Sequence, residues 1–217
     1  MCEKKIESVV KSFTSIYAVV IALAISEAFM QFVLGPDAGG IQWARLPSLC
    51  SLLLLVVAFY HGMLRHSCEF YGPTPSHHHY GMWLLVDCLA FTVEAALFFT
   101  LARSLPVTLW KQFNWTVVAL LCFDVLWGSL IWKFNGPTKA ETKTLNAISL
   151  WVIVNLCTIP FLTAVLLAFP NSPWWGVSFA AFVVLARTVA DYWAAWSFYF
   201  PDASCKANST ETQPRHP

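Results

Sequence analysis

Six runs of about twenty apolar residues, separated by short polar or turn-forming segments, organise the chain and predict membrane-spanning helices. The predicted spans are 12–34, 46–64, 82–102, 112–132, 145–169 and 173–200. Gly35-Pro36-Asp37, Gly72-Pro73-Thr74-Pro75, Asn135-Gly136-Pro137 and Pro170-Asn171-Ser172-Pro173 mark turns between them. The sixth span is long for one crossing, so it tilts or lays its aromatic end among headgroups. The longest connection, 65–81, is too short for a folded domain. The pattern therefore predicts an all-α, polytopic six-transmembrane-helix bundle over 12–200. A short N-terminal segment, 1–11, precedes it, and a polar, Pro-containing tail, 201–217, reads as disordered.

Composition agrees. Hydrophobic residues make up 58% of the chain and charged residues 12%, against about 25% charged in soluble domains. Mean hydropathy is +0.60. A net charge of +1 gives no basic field for nucleic acid, which is excluded as a partner. None of the seven cysteines forms a C-x-x-C pair, and the spacing suggests neither a disulfide framework nor a cysteine zinc site. The first apolar segment is too long for a secretory signal and contains Glu27.

Lys and Arg set the expected orientation. Lys4, Lys5, Lys11, Arg65, Lys133, Lys139, Lys143, Lys206 and Arg215 fall on one side, and only Arg45, Arg103 and Lys111 on the other. Both termini are expected in the cytoplasm of an integral, multi-pass protein. Trp43, Trp83, Trp110, Trp115, Trp132, Trp174 and Trp175 cluster near span ends as an aromatic belt.

The candidate chemistry lies inside the spans. Glu27, Asp87, Glu94, Asp124 and Asp191 are five acids at bilayer depth, and Arg187 is the one arginine among them. Each charge there costs roughly 2.5–3.5 kcal/mol on the mildest scale. One arginine cannot neutralise five acids, so water reaches some of them or some hold protons. Either arrangement suits an ion or proton pathway, with Arg187 balancing charge. The alternative is interhelical hydrogen-bonding glue. Asp87 and Glu94, seven apart, share a helix face, while Arg187 and Asp191, four apart, can pair. Pro160 frees the carbonyl of Leu156 and predicts a polar kink that Asn155 or Thr158 helps satisfy. Ala186, Ala190 and Ala194 recur every fourth residue, a stripe that permits close helix packing or oligomer contact, with core packing the favoured expectation.

His61, His66, His77, His78 and His79 gather near the cytoplasmic face and, with carboxylates, offer imidazole ligands for a metal. Their spacing matches no firm motif, and no cofactor is expected. There is no G-x-S-x-G, H-E-x-x-H or P-loop, so enzyme chemistry is the weakest reading. The leading expectation is a small channel or transporter moving protons or cations along the carboxylates. The second is a non-transporting sensor, anchor or effector subunit that acts through a protein partner or as a homo-oligomer. The third is a membrane metalloenzyme using the histidines. The lipid bilayer is a partner in all three.

Overall fold

The computed structural model describes residues 2–34, 41–71, 80–135 and 142–200. They form seven helices, α1 (Cys2–Leu34), α2 (Leu46–Phe70), α3 (Tyr80–Arg103), α4 (Trp110–Asn135), α5 (Thr142–Ala168), α6 (Pro173–Ala194) and α7 (Trp196–Tyr199). There is no strand among the described residues, and six of the helices are long and apolar enough to cross a membrane. Pro47 and Pro173 sit in the first turns of α2 and α6, where a missing amide N–H leaves no bond unmade.

α1 packs mainly on α3, α4 on α5, α5 on α6, and α2 on α6. The outer faces are apolar: Ile16, Val19 and Leu23 on α1, Phe182, Val189 and Trp193 on α6 are all exposed. The charged residues Asp87, Glu94, Asp124, Arg187 and Asp191 are instead buried. This inverts the soluble pattern and matches helices whose outer solvent is hydrocarbon. Between Glu94 and the α1–α2 end of the bundle the interior is mainly hydrocarbon, and the buried polar side chains Ser51, Asn114 and Thr116 there are bonded to carbonyls of their own helices. Leu52 and Leu55, Phe98 and Leu101, Leu120 and Leu121 are all fully buried there. Two turns of α3 beyond Glu94 and one of α4 before Asp124 thus form an apolar layer roughly 10 Å deep.

Four local expectations change. α2 runs on past Leu64 to Phe70, because Arg65 and His66 find protein partners in place of water. The long sixth span divides: α6 ends at Ala194, the chain turns at Ala195 (φ −106°, ψ 26°), and α7 folds back. Two side-chain bonds hold that fold: Arg65 Nε donates to the Phe198 carbonyl at 2.8 Å, and the Tyr199 hydroxyl to Asp191 at 3.0 Å. α5 remains one helix through Pro160. Thr158 donates to the Val154 carbonyl and Asn155 turns toward other helices, so neither serves the Leu156 carbonyl as expected. The alanine stripe is not core: Ala186 is exposed and Ala190 and Ala194 are half-buried. The buried face of α6 instead carries Val184, Arg187, Thr188 and Asp191, because the polar residues must turn inward from lipid.

Candidate functional site: the buried acids and their partners

A polar chain crosses four helices. The Asn155 amide on α5 donates to Asp124 Oδ2 on α4, and Arg187 Nε on α6 donates to Asn155 Oδ1 at 2.8 Å. Arg187 Nη1 lies 3.3 Å from Asp191 Oδ2, one turn along the same helix. The Tyr199 hydroxyl of α7 closes the chain on that same oxygen. The guanidinium sits over the Phe59 ring of α2, 5.4 Å from its centroid, a cation–π contact in a dry setting. Asp124 Oδ1, Asp191 Oδ1 and Arg187 Nη2 are buried without a hydrogen-bond partner, so the chain retains polar capacity along its length.

A second group joins α2 to α3. Asp87 Oδ2 accepts from the Tyr71 hydroxyl at 2.6 Å and faces His66 Nε2 at 2.9 Å. Protonated, His66 forms an ion pair with Asp87, both side chains nearly closed to solvent. The imidazole packs on Phe70 and on Trp127 of α4, with ring centroids 4.3 and 4.9 Å away. Trp127 in turn meets Trp151 of α5 edge-on at 6.2 Å. Rings from α2, α4 and α5 thus lie in file from the His66 group toward Asn155.

Glu94 lies between the two groups. Its Oε2 accepts from the Tyr17 hydroxyl of α1 at 3.4 Å, a long bond. Glu94 is also within electrostatic range of Asp124 and, more weakly, of Asp87. No cation is paired with it among the described residues.

Glu27 stands apart. Its side chain is 29% exposed near the α1–α2 end, where Gln31 donates to it at 3.1 Å and Arg103 approaches to 4.0 Å. Arg45, buried at the same end, donates to the Gln31 carbonyl. The apolar layer separates this group from Glu94. The structure therefore brings Asp124, Asn155, Arg187 and Asp191 together directly and sets Asp87 and Glu94 beside them. It leaves Glu27 outside.

The histidines separate as well. His61 Nδ1 meets the Tyr192 hydroxyl at 3.2 Å, and its ring faces Tyr199 at 4.9 Å, while His66 belongs to Asp87. Among the described residues no three of His, Cys, Asp and Glu are placed to hold a metal ion. His77, His78 and His79 lie outside the described residues, as does 201–217. Sequence pattern missed the phenols Tyr17, Tyr71 and Tyr199. A tyrosine within an apolar run is itself a signal, since a buried hydroxyl needs a partner.

Tyr199 gives a pH prediction. Burial, reinforced by the negative charge of Asp191, pushes its phenol far above the usual tyrosine range. A phenol with a raised folded value stabilises fully below its unfolded value of about 10, and this contribution is lost as pH rises beyond that. Thermal midpoints in detergent should hold level to about pH 10 and then fall. In Tyr199→Phe the midpoint should start lower, reflecting a stability loss of about 1–3 kcal/mol for the bond lost to a buried carboxylate, and the alkaline fall should be shallower. An unchanged alkaline slope would show that the phenol is not so held.

No protein-family model, curated protein or solved structure aligns significantly with the chain. Six helices long and apolar enough to span a bilayer, with apolar outer faces and charged residues buried among them, are the features of a multi-pass membrane protein.

Proposed function

We propose that this protein moves protons or small cations, with Glu94 and Asp124 as its proton-holding centre. One observation carries the reading: the buried charges do not balance. Asp87, Glu94, Asp124 and Asp191 are each no more than 3% exposed. Arg187 pairs with Asp191, and His66, when protonated, with Asp87. Among the described residues Glu94 and Asp124 have no cation of their own, since the third buried cation, Arg45, sits on the Gln31 carbonyl at the α1–α2 end. Two unpaired carboxylates at that depth are not tolerated as anions, so the pair carries a proton or a cation. Tyr71, Asp87 and His66 supply exchangeable groups toward the α2–α3 end, and the apolar layer closes the opposite side. By the distribution of Lys and Arg, the α2–α3 end and both termini are cytoplasmic. Access is then from the cytoplasm, and transport requires the apolar layer to open. Purified protein in liposomes, with flux read by a trapped pH dye under a pH gradient, tests the reading. No flux in wild-type protein of verified fold, under either gradient direction, would end it.

A second reading, a non-transporting module, is favoured by the bonded chain through Asp124, Asn155, Arg187, Asp191 and Tyr199. That chain ties α4, α5, α6 and α7 whether or not anything moves. Here neutral variants alter yield or oligomer size and there is no flux to lose.

A further inference from the structure

We infer that the groove between α1 and α2 binds the acyl chain of one anionic phospholipid, with its phosphate held at the Lys11–Arg65 rim. The groove encloses about 420 Å³ and is lined by Ala18, Ala22 and Ile25 of α1 and Val57, Tyr60 and His61 of α2, among others. None of its lining residues is acidic. Ala18 and Ala22 leave a furrow where larger side chains would fill it, and the furrow follows α1 for about 10 Å from Ala18 to Ile25. The two helices run antiparallel: the Gln42 amide just before α2 bonds the Phe32 carbonyl near the end of α1. The start of α1 therefore lies beside the end of α2.

The charges at that rim select the headgroup. Lys11 is exposed and precedes Ala18 by seven residues, two turns along the same face. Arg65 follows His61 by one turn, and its guanidinium lies over the Phe198 ring at 5.6 Å. Arg65 directly follows Leu64, the last groove residue of α2, and Lys11 precedes the first groove residue of α1, so in this antiparallel pair both cations fall toward the same end of the groove, with Arg65 Nε bonded to the Phe198 carbonyl. A second outer groove of about 600 Å³, between α1 and α3, lacks these features. The threonines that line it, Thr92 and Thr100, donate to their own helix backbone, and its α1 residues Phe13 and Ile16 point away from the Lys11 face.

Occupancy would be felt inside. Tyr60 stacks on Tyr17 with ring planes 2° apart and centroids at 6.2 Å, and Tyr17 is the donor to Glu94. A chain lying on Tyr60 thus touches the one ring between the lipid and Glu94's phenol partner. That consequence rests on the proton role proposed for Glu94, whereas the binding itself does not.

Native mass spectrometry reads the binding directly. Delipidated full-length protein would be exposed to phosphatidylglycerol or phosphatidylcholine of identical chains, and Lys11→Gln, Ala22→Phe and Glu94→Gln variants treated alike. One phosphatidylglycerol should be retained in preference to phosphatidylcholine. Lys11→Gln should weaken it about five-fold, the worth of one basic residue facing an anionic headgroup. Ala22→Phe, which adds bulk to a lipid-facing position, should lose the bound lipid while the protein stays folded. Glu94→Gln should retain it, so that lost flux with intact lipid binding and lost lipid binding with intact flux remain separate results. Equal retention of the two lipids, retention of neither, or unaltered retention in Ala22→Phe would overturn the inference.

Discussion

Arg187→Met should destabilise the folded protein by about 3–5 kcal/mol, the usual result of removing one partner from a buried ion pair. Arg187 and Asp191 are each about 1% exposed at their side chains, so Asp191 cannot turn to solvent when the guanidinium goes. The loss extends further, because Arg187 also donates to Asn155, whose amide holds Asp124. Thermal unfolding followed by size exclusion in detergent measures it. Arg187→Lys should recover little, since an ammonium cannot serve Asn155 and Asp191 together with the fork of a guanidinium. Arg187→Met combined with Asp191→Leu should recover a good part, because an apolar pair of similar volume often replaces a buried ion pair at small cost. A single Arg187→Met as stable as wild type would mean that the polar chain is not a structural element.

Proton flux in Glu94→Gln and in Asp124→Asn should fall by on the order of a hundredfold, the low end of what a positioned proton-transfer group contributes. Both substitutions keep the shape and a hydrogen-bonding atom while removing the titratable carboxyl proton. Glu94→Gln should preserve the bond from Tyr17 and fold normally. Asp124→Asn exchanges a carboxylate for an amide facing the Asn155 amide, so its fold needs checking alongside its flux. Glu27→Gln is the control: Glu27 lies beyond the apolar layer with Gln31 and Arg103, and its removal should leave flux nearly unchanged. If Glu27→Gln abolished flux while Glu94→Gln did not, the route would lie elsewhere.

The spans were legible because runs of apolar residues long enough for a bilayer have few other uses. The acids were legible because charge inside such runs stands out. Their partners were not, since each lies on a different helix: Tyr17 for Glu94, Tyr71 and His66 for Asp87, Asn155 for Asp124. Period along one helix says which face a residue occupies, and nothing about which neighbour supplies the other half of a bond. The break at Ala195 was hidden for the same reason. Trp196–Tyr199 is as aromatic as a span end, and it is turned back by the bonds from Arg65 and to Asp191 and by the rings of His61 and Tyr192 against Tyr199. The division of the acids by an apolar layer required the registry of α2, α3 and α4 together. The sequence grouped Glu27 with the other acids at bilayer depth, whereas the folded bundle sets it with Gln31 and Arg103.

Infrared difference spectroscopy tests the proton-holding centre most directly. The protonated-carboxyl stretch would be recorded on reconstituted wild-type protein as pH is stepped, and again on Glu94→Gln and Asp124→Asn. The account predicts a protonated-carboxyl band near neutral pH that changes with pH and disappears in one or both variants, while Asp87→Asn leaves it in place. A spectrum with no such band, or a band untouched by both substitutions, would contradict it.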